Sequence, residues 1–216
     1  MSTPRAAFPP PAPRRRYARG EKRIVEILEA AAAVFAETGY EQATTNAIAA
    51  KAGISPGSLY QFFSNKDEIA RRLAQNYEAD VRGMWAEVFT EDAAKLPLAE
   101  LLDRIIGPIL DFKLKRQGFS AFFEGSQTIP ELAAVATGLH GEFIERMRHL
   151  LALRRPDLPE SELALSALVA VRTFKALLPM AIDAKPARRA AVVAEIKRAL
   201  LGYLEPTFGT RTKSKQ

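Results

Sequence analysis

No charged residue occurs between Lys51 and Lys66, yet this stretch is dense in groups that donate and accept hydrogen bonds. Ser55, Ser58, Tyr60 and Gln61 lie inside it, and Thr44, Thr45 and Asn46 stand just upstream. A glutamine amide can bond two edge atoms of an adenine, a serine hydroxyl is permissive, and an apolar group can meet a thymine methyl. Small, polar, uncharged residues suit close approach to base edges, whereas a hairpin that only faced solvent would carry several charges. Pro56, Gly57, Ser58 and Gln61 are the candidates for base contact. Thr44, Thr45, Tyr60 and Lys66 are placed for phosphate oxygens, and free amides at a helix start near Lys66 would reinforce it there.

Other chemistry is poorly provided for. The chain has no cysteine, which excludes disulfides, thiolate metal sites and a cysteine nucleophile. His140 and His149 fall on different faces of one helix and match no metal-ligand spacing. No glycine-rich phosphate loop or nucleophile elbow is found. Neither catalysis nor a metal or cofactor is expected; a helical enzyme is the weaker alternative from another class.

Groups that read bases need a rigid frame, and the local pattern supplies one. A helix over about 20–38 places Ile24, Leu28, Ala31 and Phe35 on one face, and Gly39 stops it. A short helix begins at Thr44 or Thr45 and ends before Gly53. The next opens at Ser55 with Pro56 in its first turn, where a missing N–H costs nothing. Ile48, Ala49, Ile54 and Leu59 can fill the inside of the corner between them, which makes a helix-turn-helix. Asn65 with Glu68 resembles a capping box for a fourth helix. Further helices are expected at about 66–89, 98–116, 119–125, 130–154, 160–182 and 186–205, and the chain reads as all-α.

Charge is concentrated at the ends. Residues 1–23 carry +6 and residues 209–216 carry +3, against a formal total of +6, so the segment between is −3. Residues 1–18 read as a disordered, proline-rich basic arm and 207–216 as a basic tail. Arg14, Arg15, Arg16, Arg19, Lys22 and Arg23 could supply the attraction to a polyanion that the uncharged reading face lacks. The most apolar run, Leu163 to Val171, is too short for a membrane span, and the N-terminus has no apolar signal core. A cytoplasmic protein that does not enter membranes is expected.

From Ile27 through Asn65-Lys66-Asp67-Glu68, about 40 consecutive residues resemble the TetR family of transcriptional regulators in type and spacing. The shared features are Gly39-Tyr40, Thr44-Thr45, the Ala-Gly-Ile-Ser turn and Gly57-Ser58-Leu59-Tyr60-Gln61-Phe62-Phe63. The resemblance implies a homodimeric transcriptional repressor of about nine helices. It also implies a pseudo-palindromic duplex operator and a C-terminal domain that binds a small effector. It places DNA contacts at Thr45, Asn46, Pro56, Gly57, Ser58, Tyr60, Gln61 and Lys66. Asn46 departs from the family's frequent arginine, so guanine readout gives way there to adenine or phosphate. A nonspecific architectural protein is the alternative among DNA binders.

The expected domains are 19–65 for DNA and 66–206 for effector and dimer. Leu163, Ala167, Val171 and Leu178 form one apolar stripe, and Val193, Ile196, Leu200 and Leu204 form another. Such stripes suit an intramolecular core as well as a four-helix interface between two subunits; the resemblance favours the interface. Two recognition helices must then lie roughly 34–36 Å apart. An apolar or aromatic effector is expected among Trp85, Ile109, Phe112, Phe122, Phe123, Phe143 and Phe174, with Arg104, Gln127 and His140 as polar anchors.

Overall fold

The computed structural model describes residues 14–115 and 130–209, with backbone only for 14–19 and 130–131. Its helices are α1 (Arg14–Gln42), α2 (Thr45–Lys51), α3 (Pro56–Tyr60), α4 (Lys66–Val88) and α5 (Leu98–Lys115). They continue as α6 (Pro130–Arg154), α7 (Glu160–Asp183) and α8 (Pro186–Phe208), with a 3₁₀ turn at Glu91–Lys95 between α4 and α5. No strand occurs among the described residues. The helix expected at 119–125 lies outside them.

Two boundaries differ from the sequence reading. α1 starts at Arg14, inside the segment assigned to the arm, because the prolines end at Pro13 and arginine and alanine are strong helix formers. Within that helix Arg23 pairs with Glu26 at 2.6 Å and Lys22 approaches the same carboxylate at 3.9 Å, so part of the basic charge is spent locally. The 3₁₀ turn was not anticipated; Thr90 caps it by accepting from the Ala93 N–H at 3.3 Å.

The chain divides into two compact units, Met1–Leu73 and Ala74–Gln216. In the first, α1 contributes Ile27, Leu28, Ala31, Val34 and Phe35 to a core that Ile48, Ala49, Leu59, Phe63 and Ile69 complete, all buried. Each large apolar side chain so buried contributes about 1.5–3 kcal/mol. Gly39 breaks α1 at φ 75° and ψ 161°, a region open almost only to glycine. The division falls after Leu73, within α4, where the sequence reading placed it at Lys66. Ile69, Ala70 and Leu73 in the first turns of α4 are buried and belong to the first unit.

In the second unit α5, α6, α7 and α8 enclose one core, with Leu101, Ile105, Ile106, Leu150, Leu151 and Phe208 among its members. Here the expected dimer stripes are corrected. Leu163, Ala167, Val171, Leu178, Ile196, Leu200 and Leu204 are all at most 7% exposed within a single chain and belong to that core. Val193 is half-buried and packs against it. An amphipathic helix has one apolar face to spend, and α5 and α6 already cover it.

Arginines close the helix ends. Arg189 donates to the Ala181 and Ala184 carbonyls, each at 3.0 Å, at the end of α7. Arg154 donates to Phe208 O at 3.1 Å and to Ala94 O and Leu96 O at 2.8 and 2.6 Å. Such carbonyls lack helical partners and carry the negative end of the helix dipole, which a guanidinium satisfies on both counts. α7 is long and apolar enough by composition to cross a membrane, but its apolar face is the core just described.

Candidate nucleic-acid interface and ligand cavity

The helix-turn-helix is built from caps outward. Thr44 is the N-cap of α2 and its Oγ1 accepts from the Ala47 N–H at 3.1 Å. Gly53 makes the turn with φ 66°, and Ser55 caps α3 by accepting from the Ser58 N–H at 3.2 Å, with Pro56 following. Ile48, Ala49 and Leu59 are wholly buried and Ile54 is half-buried, so the corner is a filled joint.

The opposite side of this joint is open. Thr44, Asn46, Pro56, Gly57, Tyr60 and Gln61 are exposed, and Thr45 and Ser58 are half-buried. A Cβ placed on Gly57 would meet nothing within 4 Å. Thr45 Oγ1 and Tyr60 Oη are 3.0 Å apart, which joins the start of α2 to the end of α3 and holds both hydroxyls in one plane of approach. Ser58 Oγ lies 2.9 Å from Ser55 Oγ and keeps a lone pair for an outside partner.

Lys66, expected on a phosphate, is engaged within the chain. Its ammonium donates to Tyr40 O at 2.8 Å and Glu41 O at 3.2 Å and stands 4.4 Å from the centre of the Tyr40 ring. Tyr40 Oη in turn donates to the Asp67 carboxylate. These bonds fasten the start of α4 to the end of α1. Beside them, Asn65 Oδ1 accepts from the Glu68 N–H at 2.8 Å, and Glu68 accepts from the Ser64 N–H at 2.7 Å. The reciprocal cap thus exists, displaced by one residue, and the bond from Ser64 holds the Glu68 carboxyl below its usual range.

In the second unit a cavity of about 140 Å³ lies among α4, α5, α6 and α7. The expected Trp85, Ile109, Phe112, His140, Phe143 and Phe174 line it. Trp85 stacks on Phe143 with centroids 5.6 Å apart, and Phe174 meets Phe143 edge-on at 6.3 Å. Burial, and then the charges of Lys175 and Arg172, push the His140 imidazole below its ordinary pKa.

Arg104 is not part of this wall: it donates to Glu87 O at 2.7 Å and Val88 O at 3.1 Å and closes the end of α4. Phe122, Phe123 and Gln127 lie outside the described residues. Leu178, assigned to the dimer, lines the cavity instead, with Tyr77, Val81, Met84, Leu139, Lys113 and Lys175, which sequence reasoning passed over. Tyr77, Val81 and Met84 recur at helical spacing with Trp85 and could have been found; the two lysines look like ordinary solvated residues.

Comparison with known proteins bears on both regions. Residues 27–73 match the model for bacterial regulatory proteins of the tetR family, and residues 97–204 match that for the tetracyclin repressor-like C-terminal domain. Over 70 residues the chain is 40% identical to the fatty acid metabolism regulator protein of Bacillus subtilis strain 168, covering 32% of this chain and 34% of that one. Over 80 residues it is 35% identical to the HTH-type transcriptional repressor KstR2 of Rhodococcus jostii RHA1, covering 37% and 38%. The chain therefore spans little more than a third of these curated relatives. The crystal structure of the regulator FadR from Bacillus subtilis in complex with stearoyl-CoA superposes with a TM-score of 0.61 at 17% identity, over 83% of this chain and 98% of that one, a likeness of fold.

Proposed function

The chain belongs to the TetR family of bacterial regulatory proteins, DNA-binding transcriptional regulators, and from that premise we propose how it works. It is a sequence-specific repressor that binds a pseudo-palindromic operator as a homodimer and is released when an apolar or aromatic effector fills the cavity. One observation carries the DNA-binding half: an uncharged, hydrogen-bonding face on α3 and its C-cap, with Pro56, Gly57 and Gln61 exposed, stands over a corner in which Ile48, Ala49 and Leu59 are wholly buried. A face with those groups suits adenine and thymine edges in a major groove. Thr44, Thr45, Asn46 and Tyr60 are assigned to flanking contacts with phosphate or base.

Release is assigned to α4. It is one helix of 23 residues whose first turn is tied to Tyr40 and Glu41 and whose second half carries Tyr77, Val81, Met84 and Trp85 into the cavity wall. A ligand that prefers one position of those four side chains shifts the helix between conformers by its difference in affinity for them. The family assignment supports an effector of this kind, as do the fatty acid regulator and the stearoyl-CoA complex among the similar proteins.

Subunit pairing is assigned to the faces opposite the core. On α7, Leu165 and Met180 are 59% and 57% exposed. They recur with Arg172 and Ala176 at helical spacing opposite the buried stripe. On α8 the corresponding outer face carries Ala187, Ala191 and Gly202, small enough for close helix approach.

Selection of bound fragments from random DNA tests the proposal. The expected result is one inverted repeat, with its half-sites a helical turn apart or a multiple of one, bound roughly 10³-fold or more above random sequence. Equal recovery of all sequences would make the chain an architectural DNA binder and overturn the operator reading.

A further inference from the structure

His140 lines the cavity half-buried, and no hydrogen bond joins it to another described residue. Ala136, Leu139 and Phe143 recur with it at helical spacing on α6 and line the same cavity, so the imidazole stands on the face that α6 turns to it. Of the other polar groups in the wall, Lys113 stands 5.8 Å from the centre of the Tyr77 ring, and Lys175 is exposed. Burial, with the charges of Lys175 and Arg172, keeps the imidazole neutral near pH 7, so it offers one N–H donor and one nitrogen acceptor. An occupant that fills the cavity shields those atoms from solvent, and a purely apolar one strands them.

We infer that the effector is a single-ring molecule carrying a hydroxyl: the ring packs in the apolar cavity beside the stacked Trp85–Phe143 pair, and the hydroxyl hydrogen-bonds to His140. This rests on the effector reading above and adds the ligand's class. A cavity of about 140 Å³ suits that size, since an engineered cavity of about 150 Å³ holds one benzene. A hydroxyl can donate to the unprotonated nitrogen or accept from the N–H, so either imidazole tautomer serves. A methyl in its place fills the same volume and leaves the imidazole unpaired, which is how a polar anchor selects.

Phenol and toluene are nearly isosteric, as are cyclohexanol and methylcyclohexane, so each pair isolates the hydroxyl. The full chain is titrated with all four by calorimetry, with the fluorescence of Trp85, the single tryptophan, as a second readout. Because a hydroxyl must shed its own hydration, the quantity read is the affinity ratio of alcohol to hydrocarbon, compared between proteins. His140→Phe keeps a ring and removes both nitrogens. It should lower that ratio about tenfold in at least one pair and leave hydrocarbon binding within about threefold. His140→Gln restores a donor and an acceptor and should recover part of the ratio, while His149→Phe keeps the wild-type value. Melting curves establish that the variants are folded.

A fall confined to the phenol pair identifies an aromatic alcohol, and one confined to the cyclohexanol pair an alicyclic one; either supports the inference. A ratio that His140→Phe leaves unchanged, with the rings still bound, overturns it and leaves an apolar effector standing. Failure of all four to bind the wild-type chain overturns the inference and the effector reading together.

Discussion

Replacing Lys66 by methionine separates the phosphate contact expected from sequence from the helix fastening seen in the structure. The substitution keeps an apolar stem beside the Tyr40 ring and removes the charge, the two bonds to Tyr40 O and Glu41 O at 2.8 and 3.2 Å, and the cation at 4.4 Å from the ring. Because solvent reaches this half-buried ammonium, the two bonds together contribute about 1.5 kcal/mol, the low end for charged partners. The ring adds about 0.5 kcal/mol. A loss of about 2 kcal/mol lowers the melting temperature of a chain this size by about 4–8 °C. A lysine on a phosphate behaves otherwise: its removal lessens the slope of log affinity against log salt by about 0.9 and leaves melting unchanged. Calorimetry and operator titrations at several salt concentrations measure both. Unchanged melting with a slope lower by about 0.9 would refute the fastening role.

Gly39→Ala should destabilise by about 1–3 kcal/mol through backbone conformation alone, since a Cβ there meets nothing within 4 Å. Gly57→Ala, equally unobstructed, should change stability by no more than about 0.5 kcal/mol, and a reversed order in urea titrations would contradict the account. Because the folded carboxyl of Glu68 is held below its unfolded value of about 4.3, its stabilisation is present above that pH and is lost as pH falls through the folded pKa. Wild type should therefore exceed Glu68→Gln at neutral pH and converge with it in acid; a pH-independent difference would count against this. Leu165→Asp and Met180→Asp should weaken subunit association by about 100-fold in sedimentation velocity, as buried unpaired charges do. Leu200→Ala should cost about 3 kcal/mol of folding while leaving association nearly unchanged. The opposite ranking would return the interface to the inner stripe.

The first unit was legible because its determinants are local. Caps at Thr44 and Ser55, the glycines at 39 and 53 and the uncharged run before Lys66 act over three or four residues, a range at which residue type nearly dictates conformation. The Leu163–Leu178 and Val193–Leu204 stripes announced buried faces but not their partners, since apolar burial is non-directional and rewards any cover equally. Arg104, Lys66, Lys113 and Lys175 have the same kind of long, charged side chain, yet two close helix ends and two edge a cavity. Which carbonyl or which hollow lies within reach depends on residues 16 or more positions away, beyond the range of local pattern, and only tertiary packing brought those together.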